Sequence, residues 1–572
     1  MVATLESTAK AEFPRRYVAA DAVFDNWQTA QPYFEELSNR EVSTLADFER
    51  WLSDWSELDS CFDEEGTRRQ IEMTCQTDDP QREAAFLHFI ENVKPHREPW
   101  EHKLRQKLVA LSARIAIPRQ RYDMLIRSAH NAIEIYRDEN IPLFIENERL
   151  SQNYQKITGI MTVTFRGQEM TLQQAGRYFE EPDRATREEA WRLTADRFLK
   201  DGDELDGLYD KMVSLRHRIA NNAACANFQQ YAFRMYERFD YSPEHCYAFH
   251  DAMEKCVVPA VLTLAEERRK KLGLSALRPW DIAVDPENRP PLRPFSNDEE
   301  LSAGCSRVFD RVDPELREVF DTLRRNKVLD LGSRKGKAPG GYQATYPERR
   351  MPFIFMNAVG TEGDVRTLLH EGGHAFHTWA CRQDPLLAYR NYPIEFAEVA
   401  SMGMECLALP HLDLFYGADT NRARKRFLEE IVYTLPWIAM VDAFQHYVYT
   451  NVDHSPQRRN EEWVRVAQRF ARHTDWTGLE AYRSRAWHRK LHFFEVPFYY
   501  IEYGIAQLGA LQVWLASRKD YRKAVQMYRA GLALGGSRPL PELFETAGLR
   551  FDFSEKTVRP LIDALMEEIG RM

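Results

Sequence analysis

Apolar residues recur at intervals of three and four along most of the chain, the spacing that lines one face of an α-helix. Leu45, Phe48, Leu52 and Trp55 keep this spacing after Thr44-Leu45-Ala46-Asp47, a sequence like a capping box with Asp in place of the usual Glu or Gln. A charged amphipathic stretch opens at Glu181-Pro182-Asp183-Arg184 and runs toward Arg218 with hardly a breaker. Near the other end, Val558, Leu561, Ile562, Leu565 and Met566 share one side of a helix predicted from Ser554 to Ile569. No fixed-period repeat or low-complexity segment is evident. The expected fold class is mainly α. Residues 272–300, rich in proline and poor in periodicity, read as a long surface connection inside the main domain.

Alternation replaces helical spacing in one region. Lys337 to Tyr346 and Pro352 to Asn357 read as two short strands joined by a charged turn. Prolines at the strand starts suggest sheet edges. An edge strand leaves backbone N–H and C=O groups to which an extended peptide can pair, although a purely structural hairpin explains the same spacing.

Composition narrows the class. A chain of 572 residues exceeds one ordinary core, so two or more lobes are expected. A formal net charge of −10 without a basic block argues against nucleic acid as a partner. The start has no continuous apolar run of the signal-peptide kind. No 18-residue apolar run occurs, so no membrane span is expected. The 8 cysteines are scattered without a C-x-x-C pair, which reads as reduced thiols in a cytoplasm.

The chemistry concentrates in Leu369-His370-Glu371-Gly372-Gly373-His374-Ala375-Phe376-His377. A helix capped at Thr361-Glu362-Gly363-Asp364 and continuing through Val365, Leu368, Leu369, Phe376 and Trp379 contains it. His370 and His374 are four apart and point the same way, so they can take two corners of a tetrahedral zinc site. Glu371 follows the first of them, where a general base beside a metal belongs. The surrounding apolar residues imply burial, and buried imidazoles need partners. His377 lies two helical turns beyond His370, so packing suits it better than coordination, and Cys381 reads as core. A second helix entered after Pro393 carries Glu395, Glu398 and Glu405 on nearly one face, and any of these could supply the third ligand. Each glycine inside the first helix costs about 1 kcal/mol relative to alanine, an unexplained expense at a site.

From Ala338 through Glu405 the chain resembles the thimet oligopeptidase and oligoendopeptidase F family of zinc metallopeptidases, most closely the oligoendopeptidase F branch. The shared features are a proline-glycine segment, a Pro-Phe-Ile strand ending in Asn, H-E-x-G-H-A, and a D-F-x-E-x-P-S-like segment, here Glu395-Phe396-Ala397-Glu398-Val399-Ala400-Ser401. Gly372 replaces a bulkier residue, and Glu395 and Ala400 replace Asp and Pro. More weakly, residues 165–170 and 183–187 resemble the family's amino-terminal portion.

The resemblance implies one zinc ion per chain on His370, His374 and Glu398, with Glu371 as the base. It puts a glycine at Gly373, where a side chain could obstruct a backbone or substrate, but offers no reason for Gly372. His492 to Gly504 resembles the family's tyrosine-rich segment, which places oxyanion-stabilising roles on Tyr503 first, then Tyr500 and His492. Tyr499 is expected to point about 100° away from Tyr500 on the same helix. Phe493, Phe494 and Phe498 read as core. The implied architecture is a two-lobed helical body with a deep channel, a zinc-binding helix pair and a small sheet near the site. Residues 1–200 form its amino-terminal helical region and 201–572 its catalytic domain, with the metal-site core at about 338–510. The implied activity is hydrolysis of internal bonds in short unstructured peptides. A zinc carboxypeptidase on a similar scaffold, or a non-catalytic peptide-binding protein, are the rivals.

Overall fold

A computed structural model describes residues 12–334, 336–338 and 340–572. The first eleven residues, part of the start read for a signal peptide, and Pro339 of the first predicted strand lie outside the described residues. Helices dominate, with one two-stranded and one three-stranded sheet among the described residues. The chain divides into two units, each assembled from three segments. One comprises residues up to 134 with 292–424 and 509–551; the other comprises 135–291, 425–508 and 552–572.

In the first unit the helix Leu45–Cys75 starts as its sequence requires. The Asp47 N–H donates to Thr44 Oγ1 and the Thr44 N–H to Asp47 Oδ2, both at 3.2 Å. Phe48, Trp51, Leu58 and Phe62 of this helix are buried with Phe34 and Leu37 of the helix Trp27–Asn39. The sheet has the order Leu329–Gly332, Met351–Ala358, Tyr342–Tyr346. The last two are antiparallel, with Tyr346 opposite Met351 and Tyr342 opposite Phe355.

The strand containing Pro352 is therefore the middle one and not an edge, because a third strand was unrecognised in the sequence. Proline is tolerated there because the parallel pairing with Leu329 begins only at Ile354, two residues further on. Tyr342–Tyr346 is an edge, as expected.

The second unit holds a hairpin the helical reading overlooked, Thr162–Phe165 with Gln168–Thr171, turning through Arg166 and Gly167 at φ of 50° and 81°. It is too short for periodicity to reveal, with only Val163, Phe165 and Met170 buried. The stretch toward Arg218 is two helices, Arg184–Lys200 and Gly202–Asn222, interrupted at Asp201, where Asp and Gly are both poor helix formers. The helix predicted at the far end is observed as Glu555–Arg571.

Residues 272–300 lack long elements before residue 298, but they are not simply a surface connection. Trp280 and Asp281 are buried, and Asp281 accepts from Arg184 at 2.8 Å and Arg187 at 3.1 Å. Ion pairing to a neighbouring helix anchors this irregular segment. Among the described residues no helix is long and apolar enough to cross a membrane. None of the eight cysteines is in a disulfide.

Candidate metal centre

The motif occupies the helix Glu362–Cys381, whose first turn is held by Asp364: its Oδ2 accepts the Thr361 N–H at 2.7 Å and the Val359 N–H at 2.9 Å. Proline at 393 opens the second helix, Ile394–Ala408. The two helices touch backbone to backbone at Gly373, where a Cβ would stand 2.5 Å from the Ala400 carbonyl oxygen and 2.6 Å from Ser401 Cα. A Cβ at Gly372 would meet the ring of buried Phe309 at 2.6 Å. Both glycines are thereby explained. One admits the neighbouring helix, and the other admits an aromatic ring that also packs edge-on against Phe376 at 4.8 Å.

This close approach brings three donors together. Glu398 Oε2 lies 3.4 Å from His370 Nε2 and 3.7 Å from His374 Nε2. One ligand atom from each of the three residues falls within 4.8 Å of the others. Each donor has its own support. His370 Nδ1 lies 2.6 Å from Glu405 Oε1, whose other oxygen accepts from Arg366 at 2.5 Å. Ser401 Oγ donates to Glu398 Oε2 at 3.0 Å. His374 hydrogen-bonds the Ala397 backbone. The Glu405 partner on Nδ1 leaves Nε2 of His370 turned toward Glu398, the usual way protein scaffolds orient metal-binding imidazoles. Two imidazoles and a carboxylate suit a zinc ion with its fourth position open.

Residues 177–561 match peptidase family M3, and residues 22–136 match its N-terminal domain. The chain belongs to peptidase family M3. Over 303 residues it is 23% identical to an oligoendopeptidase F homolog of Borreliella burgdorferi, covering 50% of this chain and 49% of that protein. Over 244 residues it is 25% identical to oligopeptidase PepF of Bacillus subtilis, covering 41% and 35% respectively. In the matched stretches the chain thus spans about half the length of these curated relatives, or less. Pz peptidase A, solved with an inhibitor, has a similar fold, with a TM-score of 0.89, 26% identity, and coverage of 97% of this chain and 99% of that one.

Burial and charge differentiate the acidic groups of this cluster. Burial pushes the Glu371 carboxyl up to about 7, against the nearby His370 charge and with help from Glu398 and Glu405. Its Oε2 is buried without a hydrogen-bond partner. Burial also opposes the Glu398 charge, but the His370 hydrogen bond, the two imidazoles and Ser401 bring it down to about 2. Burial brings His374 down to about 4. His370, although buried, is held above the usual range by its hydrogen bonds to Glu398 and Glu405.

The other candidates on these two helices separate from the ligand set. His377 is fully buried, stacked on Tyr392 at 3.5 Å, with both ring nitrogens unpartnered, which makes it a packing residue. Cys381 is buried one turn further on. Glu395 is buried but is not one of the three donors. Glu405, a ligand candidate in the sequence, instead orients His370.

His492, Tyr500 and Tyr503 gather in the second unit. The His492 ring lies 4.8 Å from Tyr500 and 6.1 Å from Tyr503, and the two tyrosine rings are 5.3 Å apart. Tyr500 Oη accepts the Trp437 indole N–H at 3.1 Å, a partner sequence reasoning missed. Burial, aided by the Lys490 charge, brings His492 down to about 3.

The helix begins at Tyr500, so Tyr499 lies in the preceding turn, and its ring comes within 5.3 Å of Tyr503. Tyr499 thus precedes the helix on which the sequence places it. The cause is Phe498, whose φ of 69° turns the chain before the helix can start. Gln445 Oε1 secures that turn by accepting the Phe498 N–H at 2.6 Å, and Arg238 donates to the Phe498 carbonyl. Phe493, Phe494 and Phe498 are fully buried, as expected.

Proposed function

We propose that this M3 chain is a zinc-dependent oligoendopeptidase acting on internal bonds of short unstructured peptides, in the cytoplasm. The observation that carries the reading is the convergence of His370, His374 and Glu398 beside a buried, unpartnered Glu371 oxygen. One zinc ion held by these three residues would supply Lewis-acid polarisation of the substrate carbonyl and acidification of water.

Glu371 is the proton carrier. Its carboxylate takes a proton from the attacking water and returns it to the leaving amine, so water adds across the C–N bond without a covalent enzyme intermediate. Burial favours the neutral form of this carboxyl, which helps it hold the proton it takes from water. With Nδ1–H of His370 donated to Glu405, its Nε2 would be the nitrogen left to the metal. We assign Tyr503 as the main hydroxyl donor to the oxyanion of the tetrahedral intermediate, with Tyr500 and His492 as supporting groups.

The test is mass spectrometry of a mixed peptide pool digested in parallel by wild type and Glu371→Gln. Internal cleavage by wild type and a loss of several orders of magnitude in the metal-loaded variant are expected. Release of single C-terminal residues would instead identify a carboxypeptidase. No cleavage by zinc-loaded wild type would leave a peptide-binding protein.

A further inference from the structure

The second unit contains another set of metal-binding donors, far from the H-E-x-x-H motif in sequence and built on different helices. Cys246 and His250 sit one turn apart on the helix Pro243–Ala252, and Asp442 and His446 one turn apart on Thr420–Thr450. Ligand atoms of Cys246, Asp442 and His446 lie within 4.8 Å of one another. All three residues are buried, with exposures of 0%, 0% and 4%. We propose that these three residues bind a second transition-metal ion, zinc by the softness of the donor set.

A hydrogen-bond network alone accounts for only part of this cluster. His250 Nε2 and Asp442 Oδ2 are 2.8 Å apart, a complete interaction. His446 Nε2 pairs with the same oxygen at 3.1 Å, whereas Asp442 Oδ1 is buried without a partner. Asp442 Oδ1 is the buried polar atom that the His250 and His446 contacts leave over, and a cation beside it would satisfy it. A thiolate and a carboxylate also balance the two charges of zinc, with the Cys246 proton released to solvent on binding.

The surroundings fit the same reading. Gln229 contacts His446 Nδ1 through its side-chain amide and is 3.1 Å from the Tyr247 hydroxyl. The Gln229 amide nitrogen faces both groups; metal binding at His446 Nε2 would turn the amide so that its oxygen accepts Nδ1–H. His250 Nε2 holds Asp442 Oδ2, the oxygen that His446 Nε2 also approaches. The His446 ring packs edge-on against Phe498 at 5.3 Å, so the ion would clamp two helices beneath the turn that precedes Tyr500.

Cobalt titration of the chelator-stripped full chain tests this, because the M3 site contains no sulfur ligand. The proposal expects a near-ultraviolet thiolate-to-cobalt charge-transfer band that survives His374→Ala. Cys246→Ser should remove that band together with one metal equivalent. Absence of the band in wild type, or its persistence in Cys246→Ser, overturns the proposal. Should Cys246→Ser fail to fold, zinc X-ray absorption on metal-replete wild type decides. A sulfur shell at about 2.3 Å supports the site, and a shell of nitrogen and oxygen alone overturns it.

Discussion

Glu405 Oε1 and His370 Nδ1 are 2.6 Å apart, which makes Glu405 the carboxylate behind a proposed metal-binding imidazole. Glu405 also pairs with Arg366, so it is itself held in place. Glu405→Gln keeps a similar shape but loses the charge on which both contacts depend. Zinc affinity should fall about 10- to 100-fold, the usual cost of losing such a partner, with little change in the circular dichroism spectrum. Competition with a chromophoric chelator measures it; unaltered affinity would show that Glu405 does not orient the ligand.

The two glycines predict unequal substitutions. Alanine in a helix interior should gain about 1 kcal/mol over glycine, yet overpacking costs about 1–3 kcal/mol. At position 373 the obstacle is the backbone of another helix, which has little room to yield, so Gly373→Ala should lower both Tm and zinc content. At position 372 the obstacle is the Phe309 ring, so Gly372→Ala should be milder and partly rescued by Phe309→Leu. Thermal melts of the three variants check the order; a Gly373→Ala protein as stable and as metal-rich as wild type would contradict the packing account.

Glu395, Glu398 and Glu405 should separate cleanly in metal content. Glu398→Ala removes a proposed ligand and should leave the protein largely zinc-free after dialysis. Glu395→Ala should retain zinc, and Glu405→Ala should lie between them. Elemental analysis provides the comparison, and equal zinc in all three variants would mean that another group is the third ligand.

Tyr503→Phe should reduce kcat by about 10²–10³, about 2.7–4 kcal/mol, if its hydroxyl serves the oxyanion alone. KM, zinc content and Tm should hardly change. Tyr500→Phe strands the Trp437 indole N–H, so its signature should include a stability loss of about 1 kcal/mol. Tyr499→Phe is the control, since Tyr499 lies outside the helix. Near-normal kcat at position 503 would transfer the role to another group.

Much of this protein is local and therefore legible. Helical spacing and caps located Leu45–Cys75, the motif helix and the helix after Pro393, because a cap and an amphipathic face depend on residues a few positions apart. The i, i+4 relation of His370 and His374 follows from helix geometry alone. The identity of the third donor does not, because Glu395, Glu398 and Glu405 share a helix face. Family resemblance pointed to Glu398; in the structure, the crossing level of the two helices selects among them, and the contact of Gly373 with Ala400 and Ser401 sets that level. The reason for Gly372 was equally hidden, since Phe309 comes from a distant part of the chain. The middle position of the Pro352 strand, the turn that displaces Tyr499 and the meeting of Cys246 with Asp442 and His446 were also absent from the local pattern. Each depends on partners brought together by packing, and backbone pairing or side-chain volume at those contacts decides the outcome.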